Sequence, residues 1–243
     1  MEVHHHAHTS RKKWTHYFWE FFMLFLAVTL GFFVENQREH YIEHKRGLQY
    51  IGSFVEDLKT DTSRFSFVIK AYAKKEAGLD QLYLCYDSIK LNKNSPDCIR
   101  NIYAATIGYE DLIYTDRTLQ QLKNAGGLRL LEEEDADSII SYDQLLRYLL
   151  KVESSSLQEM QTRVRATRNS VFAYSEITET SWAKGTQPGK VDLISNDKEL
   201  LNRFFNEAMV YRFACRFQLR QTIKLKEKAI TLIKFYSEKY HLK

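Results

Sequence analysis

The stretch whose reading decides the fold is residues 17–34, YFWEFFMLFLAVTLGFFV. Seventeen of its eighteen residues carry no charge, and the exception is Glu20. At helical rise, eighteen residues reach roughly 27 Å, close to the hydrocarbon core of a bilayer at about 30 Å. Trp14, Tyr17, Phe18 and Trp19 gather at its start, where amphipathic rings favour the headgroup level. Apolar side chains fall on all sides of such a helix, which suits lipid better than the one-sided core of a soluble domain. The run ends Gly31-Phe32-Phe33-Val34-Glu35, without the small-residue cleavage pattern of a signal peptide. The expectation is a transmembrane helix over residues 14–36.

Working outward, residues 1–13 (MEVHHHAHTSRKK) are read as a short polar, His-rich cytoplasmic tail. The contiguous cations Arg11, Lys12 and Lys13 abut the span. They outweigh Arg38, Lys45 and Arg46 on the other side, so the positive-inside rule places the N-terminus in the cytoplasm. Residues 37–243 are then expected outside the cytoplasm, in the periplasm of a Gram-negative cell. The protein would be a single-pass inner-membrane protein in contact with lipid.

The remaining chain is long enough for one substantial core or two small ones. Only two prolines and nine glycines occur in 243 residues, too few turn residues for a strand-rich fold. The predicted class is all-α: an N-terminal transmembrane helix, a long helix after it, and an extracytoplasmic helical bundle. Leu48, Ile51, Val55, Leu58, Thr62, Phe65, Ile69 and Tyr72 recur at steps of three and four, a heptad seam with one polar member. Such a seam serves an intramolecular bundle or a coiled coil between chains alike. Turns are predicted near 92–97, 108–115, 125–128 and 182–196. Short helices are expected over 98–107 and over TLQQLKNA, capped by Thr115 or Asp116. One or two longer helices should follow over 128–175. Asn196 with Glu199 resembles a capping box, opening a last helix to about Tyr240 with Leu201, Phe204, Ala208, Tyr211, Cys215, Leu219 and Thr222 on one stripe.

Few residues point to chemistry. His4, His5, His6 and His8 could chelate a divalent transition metal without any fold. His40 and His44 share a helical face but lack the H-E-x-x-H order and a third ligand, and so read as polar surface. Glu20 is an acid at or just inside the membrane boundary, where such groups serve relays, ion coordination or inter-helix pairing. Three cysteines match no zinc spacing. A disulfide between Cys85 and Cys98 would close the turn-bearing loop YDSIKLNKNSPD, provided the domain is extracytoplasmic. Arg163, Arg165 and Arg168, and Lys224, Lys226, Lys228 and Lys234, read as solvated helix faces. A net charge of only +4, with acids interleaved among the cations, leaves no nucleic-acid footprint. No nucleophile elbow, phosphate loop, dinucleotide fingerprint or C-x-x-C occurs, so nothing in the sequence supports an enzyme.

The opening MEVHHHAHTSRKKWTHYFWEFFMLFLAVTLGFFVENQREH, with YIGSFVEDLKTDT after it, resembles the start of uncharacterised single-span membrane proteins of Bacteroidota. YTDRTLQQLKNAGGLRLLEEEDADSIISYDQLLRYL is similar to a segment of related proteins. The resemblance implies a native histidine tail and a Gram-negative envelope, and carries no activity or ligand. Together these features lead to the expectation of a membrane-anchored helical scaffold or sensor that binds an envelope protein or another copy of itself. The alternatives are a small homo-oligomeric ion- or proton-conducting assembly built on Glu20, and metal handling by the histidine tail.

Overall fold

The computed structural model describes residues 14–90, 96–173 and 191–242. The protein is all-α, with no strand among the described residues. Helix α1 spans Trp14–Leu79, unbroken through Gly47 and Gly52. Helices α2 (Leu82–Lys90), α3 (Pro96–Ala105) and α4 (Arg117–Asn124) follow. A 3₁₀ turn covers Gly127–Leu130 and α5 covers Glu133–Val152. A π-turn, Glu153–Leu157, joins α5 to α6 (Gln158–Val171), and α7 runs Lys198–Tyr240. The chain divides into two compact units, residues 1–49 and 50–243.

In the first unit, the described residues form the early part of α1. The aromatic and aliphatic side chains of 14–34 are exposed on every side: Trp14 is 78% exposed and Phe32 74%. No residue of its most apolar window is buried. This one helix is long and apolar enough to cross a membrane.

The second unit owes its core to stripes on α1, α5, α6 and α7. In this unit the buried positions of α1 are Ile51, Phe54, Val55, Asp57, Leu58, Asp61, Phe65, Val68, Tyr72 and Leu79. This stripe is wider than the predicted seam, because a bundle helix covered from two directions buries an arc rather than an a/d line. Thr62 and Ile69, both in the predicted seam, are only half-buried, and Asp61 and Val68 take the inward places. Phe54 meets Tyr142 of α5 and Tyr236 of α7 edge to face, at 5.9 and 6.3 Å between centroids. Phe172 bridges Tyr103 of α3 and Phe204 of α7 at 6.0 and 5.1 Å. Each such ring stabilises the fold by roughly 1.5–3 kcal/mol through burial. The seam from Ile51 to Tyr72 is thus covered by the chain's own helices.

The ends of the helices follow from local chemistry. Asp197, rather than the expected Asn196, caps α7, its carboxylate accepting from the N–H groups of Glu199 (2.8 Å) and Leu200 (3.0 Å). Gly108 (φ +55°) and Gly126 (φ +67°) take left-handed turns after α3 and α4, a conformation glycine adopts without steric cost. Helix α3 starts at Pro96, two residues before the predicted Cys98, since proline suits the first helical position. The predicted turn at 92–97 lies largely outside the described residues, as does most of that at 182–196. At the edges of the latter, Ala173 N–H donates to Asp192 O and Ile194 N–H to Val171 O, forming an isolated antiparallel bridge.

Candidate functional site

The segment 106–116 between α3 and α4 is irregular, yet it lies against buried groups. Backbone polar groups without helical partners need others when water is excluded. Here side chains supply them, sorted by polarity along the strap. Its first half offers carbonyls to donors. Arg168 donates to Thr106 O (3.1 Å), and Lys75 Nζ donates to Ile107 O (2.7 Å) and Gly108 O (3.0 Å). Tyr211 OH donates to Gly108 O (2.5 Å) and Tyr72 OH to Glu110 O (3.0 Å).

The second half offers N–H groups to acids. Both Glu153 carboxylate oxygens accept from Leu112 N–H, at 3.3 and 3.2 Å. Asp61 accepts from Thr115 N–H (2.8 Å) and its hydroxyl (2.9 Å). Asp57 accepts from Thr118 N–H (3.2 Å) and its hydroxyl (2.5 Å), and pairs with Arg117 at 3.0 Å. Asp116 stands at the N-cap of α4 without capping it. The carboxylate of Asp57, from α1, caps that helix instead.

Burial governs the titration of this cradle. It pushes the Glu153 carboxyl up to about 6, which the Leu112 bond opposes and the nearby Asp111 charge reinforces. It raises Asp61 too, against the Thr115 bonds and Arg64. Burial lowers Lys75 and Arg168, two cations held mainly by carbonyls. The fully buried Cys215 thiol is pushed up to about 12 by burial, although Tyr211 and Lys75 pull the other way. At neutral pH it is therefore a thiol and not a thiolate nucleophile.

The residues singled out from sequence fall elsewhere. His4, His5, His6 and His8 lie outside the described residues. Glu20 is exposed on α1, one turn from His16, whose Nδ1 is 3.6 Å from its carboxylate. His40 and His44 are exposed, and no group of three metal-ligating side chains occurs among the described residues. Cys85 and Cys98 are joined as a disulfide, with Cα atoms 5.5 Å apart. Arg163 pairs with Glu159 at 2.5 Å on the surface. Arg168 departs from the predicted solvated face: it is buried at 7% exposure, with its guanidinium 4.9 Å from the Tyr103 ring centroid. Lys228 donates to Ser141 at 2.5 Å. Sequence reasoning missed Asp57, Asp61, Glu153 and Gln218. A signal for Asp61 was present, since it continues the steps of Phe54, Leu58, Phe65 and Val68. Comparison with family models, with curated proteins and with solved structures finds no match to this chain.

Proposed function

We propose that this protein is a single-pass envelope protein whose helical bundle is an anchored scaffold or sensor for another protein. The observation that carries this is the helix segment 14–34, apolar on every side and exposed throughout. So large an exposed apolar surface is stable in lipid and not in water. The Cys85–Cys98 bond supports a bundle outside the cytoplasm, where thiols are not kept reduced. With the N-terminus inside, the membrane is the inner one and the bundle is periplasmic, in keeping with the resemblance to Bacteroidota single-span proteins.

A second reading, a homo-oligomeric ion- or proton-conducting assembly, draws on the His16–Glu20 pair in the span. The buried seam gives it no help, because α1 spends that face inside its own bundle. The test joins topology to partnership. A C-terminal tag should be digested by protease added to spheroplasts whose inner membrane is intact, and the two cysteines should resist alkylation until reduced. A photo-crosslinker at exposed Phe213 should yield one discrete adduct in cells. A protected tag with reduced cysteines overturns the placement. Crosslinks only between copies, together with proton flux in liposomes lost in Glu20→Gln, favour the conducting assembly.

A further inference from the structure

Glu153 differs from the other buried acids in its company. Asp57 pairs with Arg117, Asp135 with Lys239, and Asp143 with both Lys123 and Arg147. Asp61 lies 3.6 Å from Arg64. Among the described residues, Glu153 bonds to no cation: its partners are Leu112 N–H and Gln218 Nε2, the latter at 2.9 Å. The ionisable groups that face it are Tyr72 from α1 and Tyr109 and Asp111 from the strap. Each of these is neutral or negative, and the bond from α7 comes from the neutral Gln218. The acid sits in a π-turn, a wide turn that recurs at functional positions because its insertion costs helix stability. Gln218 is fully buried, and its Oε1 has no hydrogen-bond partner.

We infer that Glu153 and Gln218 form a one-proton site that tightens the bundle's hold on residues 107–116 in mildly acidic surroundings. As a carboxylate, Glu153 accepts from Gln218 and Leu112 and carries an uncompensated buried charge, which is costly. One proton taken from water turns it into a neutral carboxyl. Its O–H then donates to Gln218 Oε1 after the amide makes a half-turn, while the other oxygen keeps Leu112 N–H. The unpartnered amide oxygen is the acceptor that the protonated acid requires.

The sign follows from linkage. The folded group titrates near 6 and the ordinary carboxyl at 4.5, so the folded chain binds the proton more tightly. The added stability is complete below about 4.5 and is lost as pH rises through about 6. The inference concerns the bundle alone and holds for either membrane orientation.

The full chain in nanodiscs tests it. Between pH 7.5 and 5, infrared difference spectra of the wild type should gain a protonated-carboxyl band with a midpoint near 6 that Glu153→Gln lacks. Over the same range, hydrogen exchange corrected for its intrinsic pH dependence should show protection of Leu112 N–H rising by up to about 8-fold, the part of the linkage between about 6 and 4.5 that falls above pH 5. In Glu153→Gln the protection of Leu112 N–H should not change with pH, whereas Thr115 N–H, held by Asp61, reports that second acid. Gln218→Met takes away the acceptor of the protonated form and should shift the carboxyl band to higher wavenumber, which keeps the test open if Glu153→Gln fails to fold. A band with its midpoint near 6 that survives in Glu153→Gln, Leu112 protection that falls in acid, or a carboxyl band unshifted in wavenumber by Gln218→Met would each overturn the inference.

Discussion

Residues 14–34 and 51–72 belong to the same helix, and both are rich in apolar side chains, yet they are built for different solvents. In the first, large side chains point in every direction and all are exposed. In the second, Phe54, Phe65 and Tyr72 are at most 1% exposed, while the exposed positions between them include Glu56, Thr60, Ser63, Arg64 and Lys70. The angular distribution of apolar residues, more than their number, tells a helix which environment will cover it. The second region also tolerates acids inside it, Asp57 and Asp61, because backbone N–H groups and cations are there to receive them. In the first region Glu20 has a histidine one turn away.

The widest separation between the two regions should come from charge. Leu24→Arg combined with Leu26→Arg places two guanidinium groups near the middle of the apolar run, at about 6 kcal/mol in total on insertion scales. Membrane retention on alkaline carbonate extraction should be lost, while the far-ultraviolet circular dichroism of the bundle stays unchanged. Retention of the double variant in the membrane would break the comparison.

Truncation should act in the opposite region. Phe54→Ala removes a ring held between Tyr142 and Tyr236 and should cost the bundle about 3–5 kcal/mol in denaturant unfolding. Phe25→Ala should change the same midpoint by less than about 0.5 kcal/mol. Equal effects would mean that the two apolar surfaces are covered alike.

The smallest effect sharpens the contrast between inward and outward acids. Asp57→Ala leaves Thr118 N–H and its hydroxyl without their acceptor and should cost about 2 kcal/mol. Glu56→Ala, which loses only an exposed pair with Lys59, should cost under about 1 kcal/mol in the same denaturant series. If the two variants unfold together, the cap that α1 supplies to α4 does not contribute.

Much of this architecture was legible from the order of residues alone. The long α7 and its stripe from Leu201 to Thr222, and the stop at Gly126, follow from periodicity and turn chemistry, which are local properties. So does the apolar run beginning after Lys13, because hydrophobicity on every face of a helix needs no neighbour to be recognised. The cradle of 106–116 was not legible in this way. Its bonds join residues 32 to 103 positions apart, from Lys75 with Ile107 to Gly108 with Tyr211, and an irregular segment carries no period to announce them.

Arg168 shows the same limit: spacing placed it among solvated arginines, and only the packing of α6 turned it inward over Tyr103. The seam behaved likewise, since a three-four pattern specifies that a face will be covered but not by what, and the chain's own helices decided the matter. Sequence by itself determined which stretches are helical and which one is apolar on every face, because both depend on residues a few positions apart. The tertiary structure decided which acids and cations are buried and what they hold, because desolvation and hydrogen bonding depend on groups that only folding brings together.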